Sequence, residues 1–137
     1  MTATTVAAGF LAGAVAVGAA FLAIAVLVST LAREKTHALG GVLLVWVWFV
    51  LVHDLLALGV VAAFELPEAV LSVFVLTNPT SIFRVLVLGQ LGTTAGSGFA
   101  AVLSTTGLST PGLVAALLAW CVLPVAAAGL LVSRRRL

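Results

Sequence analysis

Few side chains in this sequence are of a type that could do chemistry, and their spacing argues against catalysis. His53 and Asp54 are neighbours, and neighbours on a helix point about 100° apart, which is poor geometry for a catalytic dyad. The two His, one Cys and one Met are scattered, whereas a metal site needs clustered ligands. The phosphate-loop pattern GxxxxGKS or GxxxxGKT does not occur. We therefore expect no enzyme, no cofactor and no metal site in this chain.

The same polar residues fit a structural role inside a membrane. An ionisable side chain within a bilayer costs roughly 2.5–3.5 kcal/mol on insertion scales, so it is expected to face protein or a wet cavity. We predict that Asp54 and Arg84 form an ion pair that docks the segment containing Arg84 onto the helix bundle. The alternative is that Arg84 extends to the lipid headgroups while Asp54 faces water. His53 is predicted to be a hydrogen-bonded packing residue, with a proton-relay or substrate role as its alternative.

His53 and Asp54 lie within a long apolar run, residues 38–64. Roughly 20 apolar residues at about 1.5 Å per residue cross the hydrocarbon core of a bilayer, so this run is long enough to be a membrane span. The 137-residue chain has a mean hydropathy of +1.37 and 7% charged residues, which indicates a single membrane domain. We place the second span at about residues 38–60.

The first span is predicted over residues 6–31. The chain carries no charged side chain before Arg33, so it lacks the basic n-region of a secretory signal peptide, and we expect this span to be retained. Gly9 and Gly13 stand in GxxxG spacing, which lets two helices approach closely. Dimerisation through this face is one interpretation; the alternative is a span that is merely rich in Gly and Ala.

Basic residues set the predicted orientation. Short loops that bear Lys or Arg stay in the cytoplasm, so the connection at residues 32–37, with Arg33 and Lys35, is predicted to be cytoplasmic. The C-terminal tail is predicted to be cytoplasmic for the same reason, because it carries Arg134, Arg135 and Arg136. The net charge of +2 comes mostly from this tail. No basic patch suits nucleic acid, so we expect no nucleic-acid partner.

With the tail in the cytoplasm, the chain must cross an odd number of times after the second span. The third span is predicted over residues 112–132, with a kink at Pro124, which lacks a backbone donor. Cys121 lies inside this span. A single cysteine excludes an internal disulfide, and we expect it to be a small core residue.

Residues 65–110 are predicted to form a helical hairpin and a loop on the outer side. Asn78 and Pro79 mark a turn, because the residue before a proline is pushed out of helical geometry. The turn separates two apolar helices, 69–76 and 82–91, each too short to span a bilayer, which indicates a re-entrant or interfacial hairpin. We expect Thr80 or Ser81 to cap the second helix and residues 92–110 to form a loop. The alternative is a fourth span over residues 82–103.

This arrangement, an all-α integral membrane protein with three transmembrane helices and an outer helical hairpin, resembles the second half of the exporter-type (type-2) permeases of ABC transporters. Three stretches carry the resemblance: STLAREKT at residues 29–36, WVWFVLVHDLLAL at 46–58 and NPTSIFR at 78–84. They are similar in particular to the permeases that serve maturation of the copper sites of nitrous-oxide reductase.

The resemblance implies a multi-pass protein of the cell membrane that works with partners. Those partners are an ATPase subunit that hydrolyses ATP, a second permease chain or the missing N-terminal half, and an extracytoplasmic maturation partner. Such permeases are about twice as long, and their coupling helix lies in the half that this chain lacks. Two alternatives therefore stay open. One is a stand-alone membrane scaffold or assembly protein without transport activity, and the other is a small ion-coupled carrier that uses Asp54.

Overall fold

The computed structural model describes residues 3–90 and 109–136, and these residues form helices joined by short connections, with no strand among them. A π-helical turn, Trp48–Val52, joins α2 to α3 without a break, so that Lys35–Ala63 is one continuous helix of 29 residues. The α-helices of the described residues are α1 (Ala3–Leu31), α2 (Lys35–Val47), α3 (His53–Ala63), α4 (Glu68–Leu76), α5 (Pro79–Gln90) and α6 (Thr110–Arg135).

Three helices in the described residues are long and apolar enough to cross a membrane, Ala3–Leu31, Lys35–Ala63 and Pro111–Arg135, which confirms the three predicted spans. Their large apolar side chains are mostly exposed on the outside of the bundle, as expected where lipid is the solvent. The first connection is shorter than predicted. Helix α2 already begins at Lys35, so the non-helical link is residues 32–34 rather than 32–37.

Helices α4 and α5 form the predicted hairpin, bent by 110° at the short break between them. Its tip reaches Phe49, the midpoint of the Lys35–Ala63 helix. The hairpin therefore enters to about half the depth of the bundle, which favours the re-entrant over the interfacial alternative. Taken together as one broken span, α4 and α5 would be a fourth apolar crossing.

The hairpin packs against both α1 and α6. Its buried residues Val75 and Ile82 form a core cluster with Leu113 and Leu117 of α6. On α1, a Cβ added to Gly13 would lie 2.6 Å from the Phe83 ring, so the missing side chain makes room for that ring. Part of the predicted GxxxG face is thus occupied by the chain's own hairpin.

One face of α1 packs against one face of α6, largely through small residues. Helix α1 buries Ala20, Ala23 and Ile24, which recur at helical spacing and so share one face. Helix α6 continues as one helix through Pro124. Its start is capped by Ser109, whose Oγ accepts from the Gly112 amide at 3.3 Å, a favoured arrangement at helix N-termini. The predicted loop at residues 92–110 and most of the alternative span at 82–103 lie outside the described residues.

Candidate functional site

The π-helical turn in the second span exposes one backbone carbonyl to the hairpin. The His53 amide donates to the Trp48 oxygen, five residues back, instead of to the Phe49 oxygen four residues back, as it would in an α-helix. The Phe49 oxygen accepts instead from Asn78 Nδ2 at 2.7 Å. Backbone polar groups inside a membrane need hydrogen-bond partners within the protein. Asn78 is the partner of the carbonyl that the π-helical turn leaves free.

Asn78 has a second role at the start of α5. Its Oδ1 accepts from the Thr80 amide at 2.9 Å, so Asn78 is the N-cap, with Pro79 at the first helical position, where proline is favoured. The prediction that Thr80 or Ser81 caps this helix is wrong, since α5 begins at Pro79. Asn78 is fully buried, and its side-chain amide is satisfied at both ends.

His53 contacts the same turn from α3. Its Nε2 lies 3.2 Å from Thr77 Oγ1, and the Thr77 hydroxyl donates to the Phe74 oxygen at 3.0 Å. Since the hydroxyl hydrogen is used, His53 Nε2 is the donor to Thr77, and Nδ1 is left as an acceptor in the neutral ring. His53 as a whole is 8% exposed, and its imidazole lies edge-on to the Phe74 ring. These contacts hold His53 against the turn of the hairpin.

Asp54, on the next position of α3, forms an ion pair with Arg84 of α5. This pair was predicted from the sequence, and it joins the second span to the hairpin. The side chains are 19% and 41% exposed respectively. Only Asp54 Oδ2 takes part in the contact with Arg84 Nη1; Oδ1 is buried without a hydrogen-bond partner among the described residues, as are His53 Nδ1 and Thr80 Oγ1.

Trp120 of α6 also contacts the hairpin. Its Nε1 donates to the Leu76 oxygen at 3.0 Å, at the C-terminal end of α4, where carbonyls have no intrahelical partner. The Trp120 ring also stands edge-on to the Phe49 ring, with centroids 5.5 Å apart. Phe49 therefore touches the hairpin through its carbonyl and α6 through its ring.

The structure brings five predicted residues together in one place, which we call the hairpin interface: His53, Asp54, Asn78, Pro79 and Arg84. It keeps the predicted topology residues apart from them, exposed near the far ends of the spans: Arg33, Lys35, Arg134, Arg135 and Arg136. Three parts of the interface were not predicted from the sequence: the Phe49 carbonyl, Thr77 and the hydrogen bond from Trp120. A threonine directly before Asn-Pro was a usable signal for Thr77, but no sequence pattern marks a released carbonyl.

The contacts of the hairpin interface position the hairpin against the second span. Within residues 3–90 and 109–136, no three His, Cys, Asp or Glu side chains are grouped so that they could hold a metal ion. Cys121 faces α1 instead, with its Sγ 3.3 Å from the Ala16 oxygen. The arrangement is a set of partly buried hydrogen bonds and one ion pair that hold a re-entrant hairpin against the second span.

Comparison with known proteins shows a family match over nearly the whole chain. Residues 2–137 match the model for the family described as ABC-2 family transporter protein. The chain is 34% identical over 128 residues to the probable ABC transporter permease protein NosY of Pseudomonas aeruginosa, covering 92% of this chain and 46% of that protein. It is 37% identical over 134 residues to the protein of the same name from Stutzerimonas stutzeri, covering 93% and 47%. No solved structure matches the chain.

Proposed function

The chain belongs to the ABC-2 family of transporter proteins, and from this premise we propose that it is a membrane-spanning permease subunit of an ABC transporter. It spans a little under half the length of the two NosY proteins, so we propose that it works together with a further permease part. The observation that carries the proposal is the family match over residues 2–137. The arrangement of three spans with a re-entrant hairpin between the second and third supports it.

We further propose that ATP hydrolysis takes place on a separate ATPase subunit. The sequence holds no phosphate loop of its own. We also propose that the link at residues 32–34 and the arginine-rich end of α6 lie in the cytoplasm, because short segments with Lys or Arg tend to stay there. In that orientation the hairpin lies on the outer side, since it contacts Phe10 and Gly13 near the beginning of α1 and Phe49 and Asp54 at and beyond the midpoint of Lys35–Ala63.

The finer proposal is a role in maturation of the copper sites of nitrous-oxide reductase. Its support is the identity of 34% and 37% to proteins named NosY, together with the three stretches that resemble permeases of that process. In the described residues, no three His, Cys, Asp or Glu side chains are grouped as metal ligands, so this proposal assigns no copper ligand to this chain. The chain's part in the process would be the permease movement itself, with an extracytoplasmic partner receiving its effect.

The test is to identify what the chain binds in its own membrane. A C-terminal tag on the full chain, extraction in mild detergent and mass spectrometry of co-purifying chains should recover an ATPase with a phosphate loop and a second permease part. A tagged full-length NosY permease, handled in parallel, is the control that the detergent preserves ATPase binding. If the control permease retained its ATPase and this chain recovered none, the result would contradict the proposal and favour a scaffold or assembly protein.

The nitrous-oxide reductase role has its own readout. Deletion of the gene should leave nitrous-oxide reductase present but deficient in copper, and the intact gene should restore the metal. Normal copper content in the deletion strain would overturn this finer proposal while leaving the permease assignment intact.

A further inference from the structure

A groove runs between α1 and α6 at the end away from the hairpin. It has a volume of about 490 Å³, within the roughly 300–1,000 Å³ of pockets that hold small-molecule ligands. The groove exists because Ala128 and Gly129 leave the space between the helices unfilled. Ala128 is buried, and a Cβ added to Gly129 would meet nothing within 4 Å. The walls are apolar, formed by Val26, Val125 and Val132.

The apolar part of this groove lies within one leaflet of a bilayer. Its walls extend along α6 from Val125 to Val132, which is about 10 Å at about 1.5 Å per residue, and the polar mouth continues to Arg136. The hydrocarbon core of a bilayer is about 30 Å thick, so the apolar walls cover about a third of it. An apolar groove of that length suits part of an acyl chain.

The mouth of the groove carries a positive charge. Arg136 lines it and is the C-cap residue of α6, directly after Arg134 and Arg135 in the final turn. None of the three forms an ion pair in the described part of the chain. The hydroxyls of Thr30 and Ser133, which also line the mouth, donate to their own helices. Because Arg136 has no ion-pair partner in the described residues, its guanidinium donors are available to an anion.

We propose that this groove binds one anionic phospholipid from the leaflet on the side of the C-terminal tail. An acyl chain lies against Ala128 and Gly129, and the phosphate accepts hydrogen bonds from Arg136. An anionic lipid fits better than a zwitterionic one because the basic cluster has no carboxylate partner in the described residues. The proposal depends on the membrane location of the chain and not on its transport role.

The test compares two lipids that differ only in headgroup. The full chain, extracted with any partners that it retains, is titrated with dioleoyl phosphatidylglycerol or dioleoyl phosphatidylcholine, and bound lipid is counted by native mass spectrometry. Wild type should bind one phosphatidylglycerol about fivefold more tightly than phosphatidylcholine, the preference that one basic residue gives at a membrane surface. Arg136→Gln should abolish that preference, whereas Arg134→Gln, which makes the same charge change outside the groove lining, should retain most of it.

A second pair of variants tests the apolar part of the site. Gly129→Leu should fill the groove and weaken binding of both lipids. Gly59→Leu is the matched control, because its added side chain also enters open space but on α3, away from the groove. Equal binding by Gly129→Leu and wild type would overturn the proposal, as would equal effects of the two arginine changes. Loss of a co-purifying chain from Gly129→Leu, without loss of lipid, would assign the groove to another polypeptide and overturn it as well.

Discussion

The α1–α6 interface and the hairpin interface lie side by side in the same bundle but use different kinds of contact. Between α1 and α6 the buried residues are small and apolar, such as Ala20, Ala23 and Ala128. At the hairpin interface, an asparagine, a histidine and an ion pair connect the second span to the hairpin. The first interface depends on close approach of two helices, and the second depends on specific donors and acceptors.

The difference follows from the solvent around the protein. Lipid tails are as apolar as leucine, so apolar contact between helices gains little beyond van der Waals packing. An unpaired backbone group in the membrane costs far more. Small residues therefore suffice to join two regular helices whose backbones are already satisfied. A re-entrant turn is irregular, and it must find partners for its own polar groups, which also fixes its depth.

Asn78→Ala should have the largest effect on stability. It removes the donor to the Phe49 oxygen and the cap of α5 at once, leaving two partly buried groups unpaired, for which the full penalty is about 1–3 kcal/mol each. We expect the free energy of unfolding in lipid micelles, measured by steric trapping, to fall by about 2–5 kcal/mol. Asn78→Ser keeps a capping oxygen and should recover part of the loss. Wild-type stability of Asn78→Ala would show that polar contacts do not fix the hairpin.

Arg84→Gln should come next. It leaves Asp54 as a partly buried charge without its partner, at a cost of about 1.5–3 kcal/mol by the usual value for hydrogen bonds to charged groups. Adding Asp54→Asn should restore most of the loss, because the double variant buries two neutral groups instead of one charge. The four proteins form a double-mutant cycle measured under identical conditions. Additive losses in the cycle would mean that the two side chains do not stabilise each other.

The sequence was informative about the hairpin interface where charge and turn chemistry act locally. Asp54 and Arg84 are rare intramembrane charges, so pairing them required only that each find a partner. Asn-Pro predicted a turn, and the turn lies at that place. The three spans followed from apolar length alone, although their ends extend beyond the predicted bounds because polar first and last turns remain helical outside the apolar run.

The rest of the hairpin interface depends on a π-helical turn, which the residue types do not predict. The capping role of Asn78 was missed because Thr and Ser directly after Pro79 are also good caps. Its bond to the Phe49 oxygen was missed because the second span reads as a regular helix. The carbonyl becomes available only where the His53 amide bonds one residue further back. A π-helical turn of this kind is set by packing between distant segments, and such turns are frequent at functional sites.

Ala20→Leu tests the α1–α6 interface. Ala20 is completely buried, so a leucine must separate the helices or force strained side chains, at about 1–3 kcal/mol for overpacking. Ala19→Leu, one position along and exposed, should leave the free energy of unfolding within about 0.5 kcal/mol of wild type. Equal stability of the two variants would show that close approach of α1 and α6 is not required.

The smallest losses of stability are expected from substitutions at two neighbouring residues of α6. Trp120 faces the hairpin and Cys121 faces α1. Trp120→Phe removes the donor to the Leu76 oxygen at the end of α4, where no backbone amide replaces it, and should cost about 1 kcal/mol. Cys121→Ala removes a weak thiol donor to the Ala16 oxygen. That carbonyl lies inside α1, where the helix supplies its own bond, so we expect a change of about 0.5 kcal/mol or less. A larger loss for Cys121→Ala than for Trp120→Phe would reverse the contrast between the two interfaces, because the thiol would then position α1 more strongly than the indole positions the hairpin.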